Sequence, residues 1–236
     1  MGARILSTPS RIAALTLFAA LVALVVTGYL TRGTEPTAAG PAPVRQWSDG
    51  DVRQLDALAQ EFEARDENGG EGAGTTFFRF SATAATPQQL SALGYSTVVI
   101  GKVTESRSFQ NEPVDGFPGD IYTDHVFAVE RRLTETAAGI PDSVVIRQDG
   151  GVTDQEYREI LDNPLLRPGR RYLVILSDHE VEATRSVLPI TFLELRDGIV
   201  REPLLSIGRG GPLARLLVGL REDDAVNRLD GWLKGQ

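Results

Sequence analysis

The sequence predicts a mainly β (α+β) protein: a small OB-like barrel of five to six strands with short helices, preceded by one N-terminal transmembrane helix. Three observations lead to this fold class. A run of 19 uncharged, mostly apolar residues lies near the N-terminus, five or six segments rich in β-branched and aromatic residues follow residue 95, and one short helical pattern separates the third segment from the fourth. This layout is typical of an OB-like barrel, and a β-sandwich is the alternative.

The apolar run, residues 12–30 (IAALTLFAALVALVVTGYL), is close to the ~20 residues that a helix needs to cross the hydrocarbon core of a membrane. Arg4 and Arg11 precede it, so the positive-inside rule places residues 1–11 in the cytoplasm as a short stub and the rest of the chain outside. We therefore expect an uncleaved signal anchor in the cytoplasmic membrane. Cleavage at residues 37–39 (TAA) is the alternative and would give a secreted protein.

Residues 31–46 are rich in Thr, Pro, Ala and Gly and are expected to form a flexible tether, because this composition buries too little apolar surface to fold. A short helix and a glycine-rich loop are predicted over residues 47–85. Ser48 and Asp51 have the spacing of a helix cap, and DENGGEGAGT at residues 66–75 indicates the loop. Apolar residues recur between them at helical spacing: Val52, Leu55, Leu58 and Phe62.

The OB-like domain is predicted over residues 86–205. A two-turn helix opens it, because Thr86 and Gln89 have capping-box spacing and Gly94 stands where a helix would end. Strand composition or alternation then predicts six strands, at residues 96–104, 121–133, 143–148, 171–176, 186–195 and 199–201.

Three further local signals complete the chain. Thr153 and Glu156 have capping-box spacing, which predicts a short helix over residues 154–162. The dipeptide at residues 197–198 (DG) predicts a tight hairpin turn between the last two strands. Residues 206–236 are predicted to be a helical tail with helices at 213–218 and 224–233.

Four segments of residues 96–205 carry a resemblance: VIGKV at 99–103, YTDHVFAV at 122–129, VIRQDGG at 145–151 and LRPGRRYLVIL at 166–176. They resemble an uncharacterised group of exported or membrane-anchored bacterial proteins with an OB-like β-barrel domain. The resemblance implies that fold and implies no activity.

Composition excludes several classes of function. The chain has no cysteine, so it forms no disulfide, thiolate metal site or cysteine nucleophile. Its net charge of −8 opposes binding to nucleic-acid phosphates. No Gly-x-Ser-x-Gly motif occurs, neither histidine has an evident serine partner, and no cofactor motif is present, so we expect no serine hydrolase triad and no cofactor.

His125 and His179 each follow an aspartate, and Glu180 follows the second histidine. If the strand that carries His125 met the end of the fourth strand, these three side chains could bind zinc through nitrogen and oxygen. The alternative is a hydrogen-bonded core histidine at 125 and an exposed loop histidine at 179. The enzyme hypothesis is a metal-dependent or carboxylate-based hydrolase of the cell envelope that uses Asp124, His125, His179 and Glu180.

Residues 106–120 (SRSFQNEPVDGFPGD) join the first two predicted strands and are longer than a hairpin requires. Phe109 and Phe117, if exposed there, would form a partner-binding surface; alternatively, both rings fold back onto the barrel. Our leading hypothesis is a non-catalytic, membrane-tethered extracytoplasmic binding or envelope-structure module whose partner is an envelope protein.

Overall fold

A computed structural model describes residues 45–67, 86–111, 119–154, 157–159, 163–181, 183–204 and 212–234. The predicted membrane segment at residues 12–30 and most of the predicted tether lie outside these ranges. No helix in the described ranges is long and apolar enough to cross a membrane.

The fold is mainly β, with a large sheet and few short helices. The strands are β1 (Arg45–Gln46), β2 (Tyr95–Gln110), β3 (Ile121–Arg132), β4 (Ser143–Asp149), β5 (Gly151–Val152), β6 (Tyr157–Arg158), β7 (Arg171–Ser177), β8 (Arg185–Arg196) and β9 (Ile199–Arg201). The helices are α1 (Asp49–Glu67), α2 (Pro87–Ala92), α3 (Pro212–Leu217) and α4 (Glu222–Leu233), with a 3-10 helix at Glu135–Gly139.

Seven strands form one sheet, and β5 and β6 form a separate two-stranded ribbon. β2 pairs antiparallel with β3, β3 with β4, and β7 with β8, whereas β4 and β8 pair in parallel. The first half of β2 also pairs with β7. The pairings therefore run in a circuit from β2 through β3, β4, β8 and β7 back to β2.

β2 can join two neighbours because it is long and irregular. It was predicted to end at residue 104, but it continues to Gln110, and its register against β3 shifts at Ile100/Gly101 and at Val103/Glu105. Such shifts bend a strand. Gly101 is required there, because a Cβ at this position would overlap the Ala128 carbonyl oxygen and the Phe127 ring.

Most predicted helices and turns are confirmed. Thr86 and Gln89 form the predicted capping box of α2, and Gly94 adopts a φ of 77° just past its end. The turn between β8 and β9 places Asp197 and Gly198 at φ values of 54° and 69°, as a tight hairpin requires.

The helix predicted over residues 154–162 is wrong, because Tyr157–Arg158 forms β6. The Tyr157 hydroxyl hydrogen-bonds the Gln54 Oε1 atom at 2.8 Å and the Asp51 Oδ1 atom at 3.2 Å, and both partners lie in α1. A contact between segments about a hundred residues apart thus outweighs the local capping signal of Thr153 and Glu156.

The buried apolar residues fall into three clusters. The first combines residues from all five strands of the circuit, including Val103, Phe127, Ile146, Tyr172 and Phe192. The second joins the other side of β2, β7 and β8 to α2, α3 and α4: Leu90, Val98, Ile100, Leu173, Ile175, Leu193, Leu195, Val200, Leu213, Leu217, Ala225 and Leu229. The third joins α1 to its neighbours and contains Trp47, Leu55, Val152 and Leu165.

Candidate functional site

The outward side of β2, β3 and β4 carries aligned rows of side chains, because register pairs in an antiparallel sheet lie directly opposite each other. Alternate residues of these strands, among them Ser106, His125 and Ile146, are buried on the other side. The outward rows are Phe109–Tyr122–Asp149, Arg107–Asp124–Arg147 and Glu105–Val126–Val145. We name these nine residues the cross-strand face.

Two aromatic rings and a guanidinium form a stack on this face. The rings of Phe109 and Tyr122 are nearly parallel, with centroids 5.2 Å apart and an interplanar angle of 9°. Arg147 lies over the Tyr122 ring, with its Cζ atom 4.6 Å from the centroid. The two contacts reach Tyr122 from the strands on either side of β3, so the stack spans three strands.

Ion pairs fix the charged side chains of the same face. Arg147 donates to both carboxylate oxygens of Asp124, from Nε at 2.7 Å and from Nη2 at 2.9 Å. Arg107 donates from Nε to the Glu105 Oε1 atom at 2.7 Å. Because a two-point Arg–Asp pair fixes the plane of the guanidinium, Arg147 is held in place before any partner arrives.

The structure places Phe109 at the end of β2, half-buried against Tyr122, rather than in a loop. Phe117 lies outside the described residues. Sequence reasoning found Phe109, named Asp124 only as a carboxylate of the enzyme hypothesis, and missed Tyr122 and Arg147. The alternation in the second and third predicted strands was the available signal, since it placed Asp124 on the polar side, but the strand register was needed to bring the four side chains together.

His125 lies on the inner side of β3 and is fully buried. Its Nδ1 atom is 2.7 Å from the Ser106 Oγ atom, so the expectation that neither histidine has a serine partner is wrong. Its Nε2 atom has no hydrogen-bond partner among the described residues. Burial, together with the positive charge of Arg167, lowers the pKa of His125 to about 3, so the ring is neutral at pH 7. Ser106 and His125 are a buried pair without the exposure that a nucleophile needs.

A hydroxyl network adjoins this histidine. The Trp47 Nε1–H donates to the Ser108 Oγ atom at 2.7 Å, and that atom also lies 2.9 Å from the Thr123 Oγ1 atom. Thr123 donates onward to the Gly150 carbonyl oxygen at 2.8 Å. A Cβ at Gly151 would lie 2.5 Å from both hydroxyl oxygens, so only glycine permits this close approach.

His179 and Glu180 lie exposed after β7, where Glu180 forms a 3.3 Å ion pair with Arg185. His125, by contrast, is enclosed. The described ranges contain no group of three or more His, Asp or Glu side chains that could hold a metal ion. The zinc hypothesis therefore stays a prediction that draws no support from the described side chains.

A surface cleft of about 590 Å³ lies between α2, the 3-10 helix and α4, lined in part by Leu90, Tyr95 and Ile175. Its threonines are already engaged, since Thr134 and Thr136 both donate to the Ser96 carbonyl oxygen, at 3.2 and 3.0 Å. Tyr95 and Glu135 also line the cleft, whereas the cross-strand face combines two stacked aromatic rings with ion-paired arginines.

Comparison with models of known protein families finds no match, and neither do comparisons with curated proteins and with solved structures.

Proposed function

We propose that this chain is a membrane-tethered, extracytoplasmic binding module of the cell envelope that holds a protein partner on its cross-strand face. The observation that carries the proposal is the ordered stack of Phe109, Tyr122 and Arg147, with Arg147 fixed by Asp124. Aromatic and arginine side chains are the residues that contribute most binding energy at protein interfaces.

Because these side chains are already immobilised, a binding role is favoured over a purely structural one. Immobilising a flexible side chain on binding costs ~0.5–1.5 kcal/mol. The Arg147 guanidinium has already lost this freedom to Asp124 and Tyr122, so a partner that contacts it meets a smaller entropic cost. The same cross-strand contacts also stabilise the sheet, which explains how the face stays ordered without a partner.

We further propose that the strand circuit is an OB-like barrel. The circuit of five strands with one parallel pair, β4 with β8, supports this assignment, as does the resemblance of residues 96–205 to exported bacterial proteins. OB-like barrels use the face of their second and third strands and the loop between the first two strands for binding. Here the second and third strands correspond to β3 and β4, which carry six of the nine residues of the cross-strand face.

The apolar residues 12–30 support the proposed anchor, and residues 31–44 supply a tether ahead of β1. Because the chain has no native cysteine, single cysteines can report its orientation. We expect Val181→Cys, at a position 71% exposed, to react with a membrane-impermeant maleimide in intact cells and Ser7→Cys to react only after lysis. Labelling of Ser7→Cys in intact cells would contradict the orientation.

The binding proposal is tested by placing a photoreactive phenylalanine at position 109 of the full-length chain in the cells that produce it. We expect a single, saturable crosslink to one envelope protein, identified by mass spectrometry. The control carries the same group at Leu93, which is 57% exposed and lies at the C-terminal end of α2, outside the face. Identical adducts from both positions, or none from position 109, would overturn the proposal.

A second variant separates loss of binding from loss of folding. Arg147→Lys keeps the positive charge but loses the two-point contact with Asp124. We expect it to weaken the crosslink from position 109 while the protein remains at its normal cellular level.

A further inference from the structure

His125 is fully buried, and its Nε2 atom has no hydrogen-bond partner among the described residues. A buried polar atom left unpaired is destabilising, because nothing replaces the hydrogen bond that it would make with water. Ser106 engages only the Nδ1 atom. The Trp47 ring stands edge to face against the imidazole, with centroids 5.7 Å apart and an interplanar angle of 85°, and supplies no conventional acceptor.

Trp47 belongs to the segment that covers this end of the sheet, which we define as the N-terminal cap, residues 45–61. The Trp47 backbone N–H donates to the Ser106 carbonyl oxygen at 3.0 Å, and its indole N–H donates to Ser108. The cap is therefore attached to β2 at Ser106, the register partner of His125, and at Ser108. The described apolar cluster that joins the cap to the rest of the fold has four buried residues, of which Trp47 and Leu55 belong to the cap itself.

Several elements contribute charged or titratable groups to this end. The groups are Arg45 of β1, Asp51 and Asp56 of α1, Tyr157 of β6, Glu159, Arg167 and Arg170 of the connection between β6 and β7, Tyr172 of β7 and Glu194 of β8. Arg167 is the charge that opposes protonation of His125. Glu159 at 2.9 Å and Asp56 at 3.2 Å are the carboxylates paired with Arg167. A protonated His125 would add a second buried cation, and this one would have no counterion.

We propose that the N-terminal cap is a proton-operated lid, which leaves the sheet when His125 binds a proton while the strand circuit and the C-terminal helices keep their structure. Once Trp47 has moved away, water reaches the Nε2 atom and solvates the imidazolium. The movement also uncovers the hydroxyls of Ser106, Ser108 and Thr123. The lid connects directly to the proposed tether, so its release would change how far the sheet stands from the membrane.

The direction of the pH effect follows from linkage. In the closed state the pKa of His125 is depressed to about 3, whereas an exposed histidine titrates near 6.5. The closed state is therefore fully stabilised above pH ~6.5 and loses stability as the pH falls from there towards 3. Within this window the ratio of open to closed lid rises by about tenfold for each pH unit.

Hydrogen exchange of the full chain in detergent, followed by mass spectrometry, tests this proposal. Peptides from the cap are compared with peptides from α4 and β7 in the same sample, at about pH 7 and about pH 5, because this ratio cancels the intrinsic effect of pH on exchange. We expect protection of the cap to fall at least about tenfold relative to α4 and β7. Equal loss in all three regions, or no loss in the cap, would overturn the proposal.

Two variants assign the effect to this histidine. His125→Gln retains a group that can hydrogen-bond Ser106 but does not titrate, so we expect the cap to lose its pH dependence. His179→Gln, at the exposed histidine, should leave the dependence unchanged. If His125→Gln retains the dependence between about pH 6.5 and 5, the lid is not operated by His125.

A measurement with His125 in place guards against misfolding of the His125→Gln variant. The chain has two tryptophans, and Trp232→Phe leaves Trp47 as the single reporter. We expect its emission to shift to longer wavelength between about pH 6.5 and 5 while the far-ultraviolet circular dichroism stays constant. A constant emission maximum across this range would contradict lid release.

Discussion

The two ends of the described chain are held to the rest of the fold by different balances of apolar packing and charge. At the C-terminus, α3 and α4 cover β7, β8 and β9 with an apolar cluster, in which Leu217, Ala225 and Leu229 are almost completely buried. At the N-terminus, α1 is held largely by charge. Asp56 pairs with both Arg167 and Arg170, and Asp51 pairs with Arg45 at 2.8 Å.

This difference determines how each region responds to conditions. Apolar burial depends on the area removed from water and changes little with pH. Buried charges contribute only while each keeps its partner and its protonation state. We therefore expect the C-terminal helices to stay packed under conditions that release the N-terminal cap.

The largest effect is expected from Arg167→Met. Arg167 and Glu159 are both almost fully buried and lie 2.9 Å apart, so removing the cation leaves a buried carboxylate without a counterion. We expect a loss of about 3–5 kcal/mol in the free energy of unfolding, measured by urea denaturation of the full chain in detergent.

A double variant provides the control for that measurement. Arg167→Met combined with Glu159→Gln removes both charges and keeps an acceptor for the Leu165 backbone N–H, which now donates to Glu159 at 2.7 Å. It should be more stable than the single variant. A single variant that loses less than about 1 kcal/mol would show that charge does not hold the N-terminal region.

Leu229→Ala tests the apolar packing of the C-terminal helices. Leu229 is 1% exposed within the apolar cluster, so its truncation is expected to cost about 2–5 kcal/mol. The loss should be the same at about pH 7 and about pH 5 and in low and high salt. Val218→Ala, at a position 41% exposed, serves as the control and should cost less than about 0.5 kcal/mol.

The two regions also differ in how far the sequence predicted them. The C-terminal helices follow from local signals, since Gly219, with a φ of 87°, ends the first of them and the apolar spacing defines the second. The start of α1 was likewise predicted from Ser48 and Asp51. The sequence did not indicate where α1 packs, because that depends on Asp56 meeting Arg167 across 111 residues.

Contacts between distant segments also explain the other places where the structure differs from the sequence-based predictions. Residues 154–162 carry a valid local signal for a helix, but Tyr157 is held in a strand by contacts with α1. Phe109 was expected in a loop because no local pattern shows that β2 bends at Gly101 and continues to Gln110. Strand composition thus predicted the elements, whereas the cross-strand face depends on register between separate strands.

Asp51→Asn tests how much one carboxylate contributes to the stability of the N-terminal region. Burial would raise the pKa of Asp51, but hydrogen bonds from Ser48 and the charge of Arg45 outweigh burial and hold the pKa below its usual 3.8. Its contribution is therefore present above pH ~4 and is lost only as the pH falls through the lowered value. We expect the variant to lose about 1.5–3 kcal/mol at neutral pH, measured by urea denaturation.

The pH range distinguishes this carboxylate from His125. Asp51→Asn should leave the opening of the cap between about pH 6.5 and 5 in place, because Asp51 does not titrate there. If the variant abolished that opening, the acid sensitivity would belong to the ion pairs of α1 rather than to the histidine.

The smallest change in stability is expected on the cross-strand face, which belongs to neither region. Phe109→Ala removes one ring of the Phe109–Tyr122 stack, and such aromatic pairs contribute about 0.5–1.5 kcal/mol beyond the area they bury. Hydrogen exchange in the N-terminal cap and in α4 should stay as in the native chain. Crosslinking from a photoreactive group placed at Arg107, which neighbours Phe109 on the same face, should fall strongly, because the partner loses its aromatic contact.

Leu93→Ala, at an exposed apolar position outside the face, provides the matched control and should leave the crosslink unchanged. A variant that kept full crosslinking while losing protection in α1 would reverse the assignment, since Phe109 would then stabilise the N-terminal region and contribute nothing to binding.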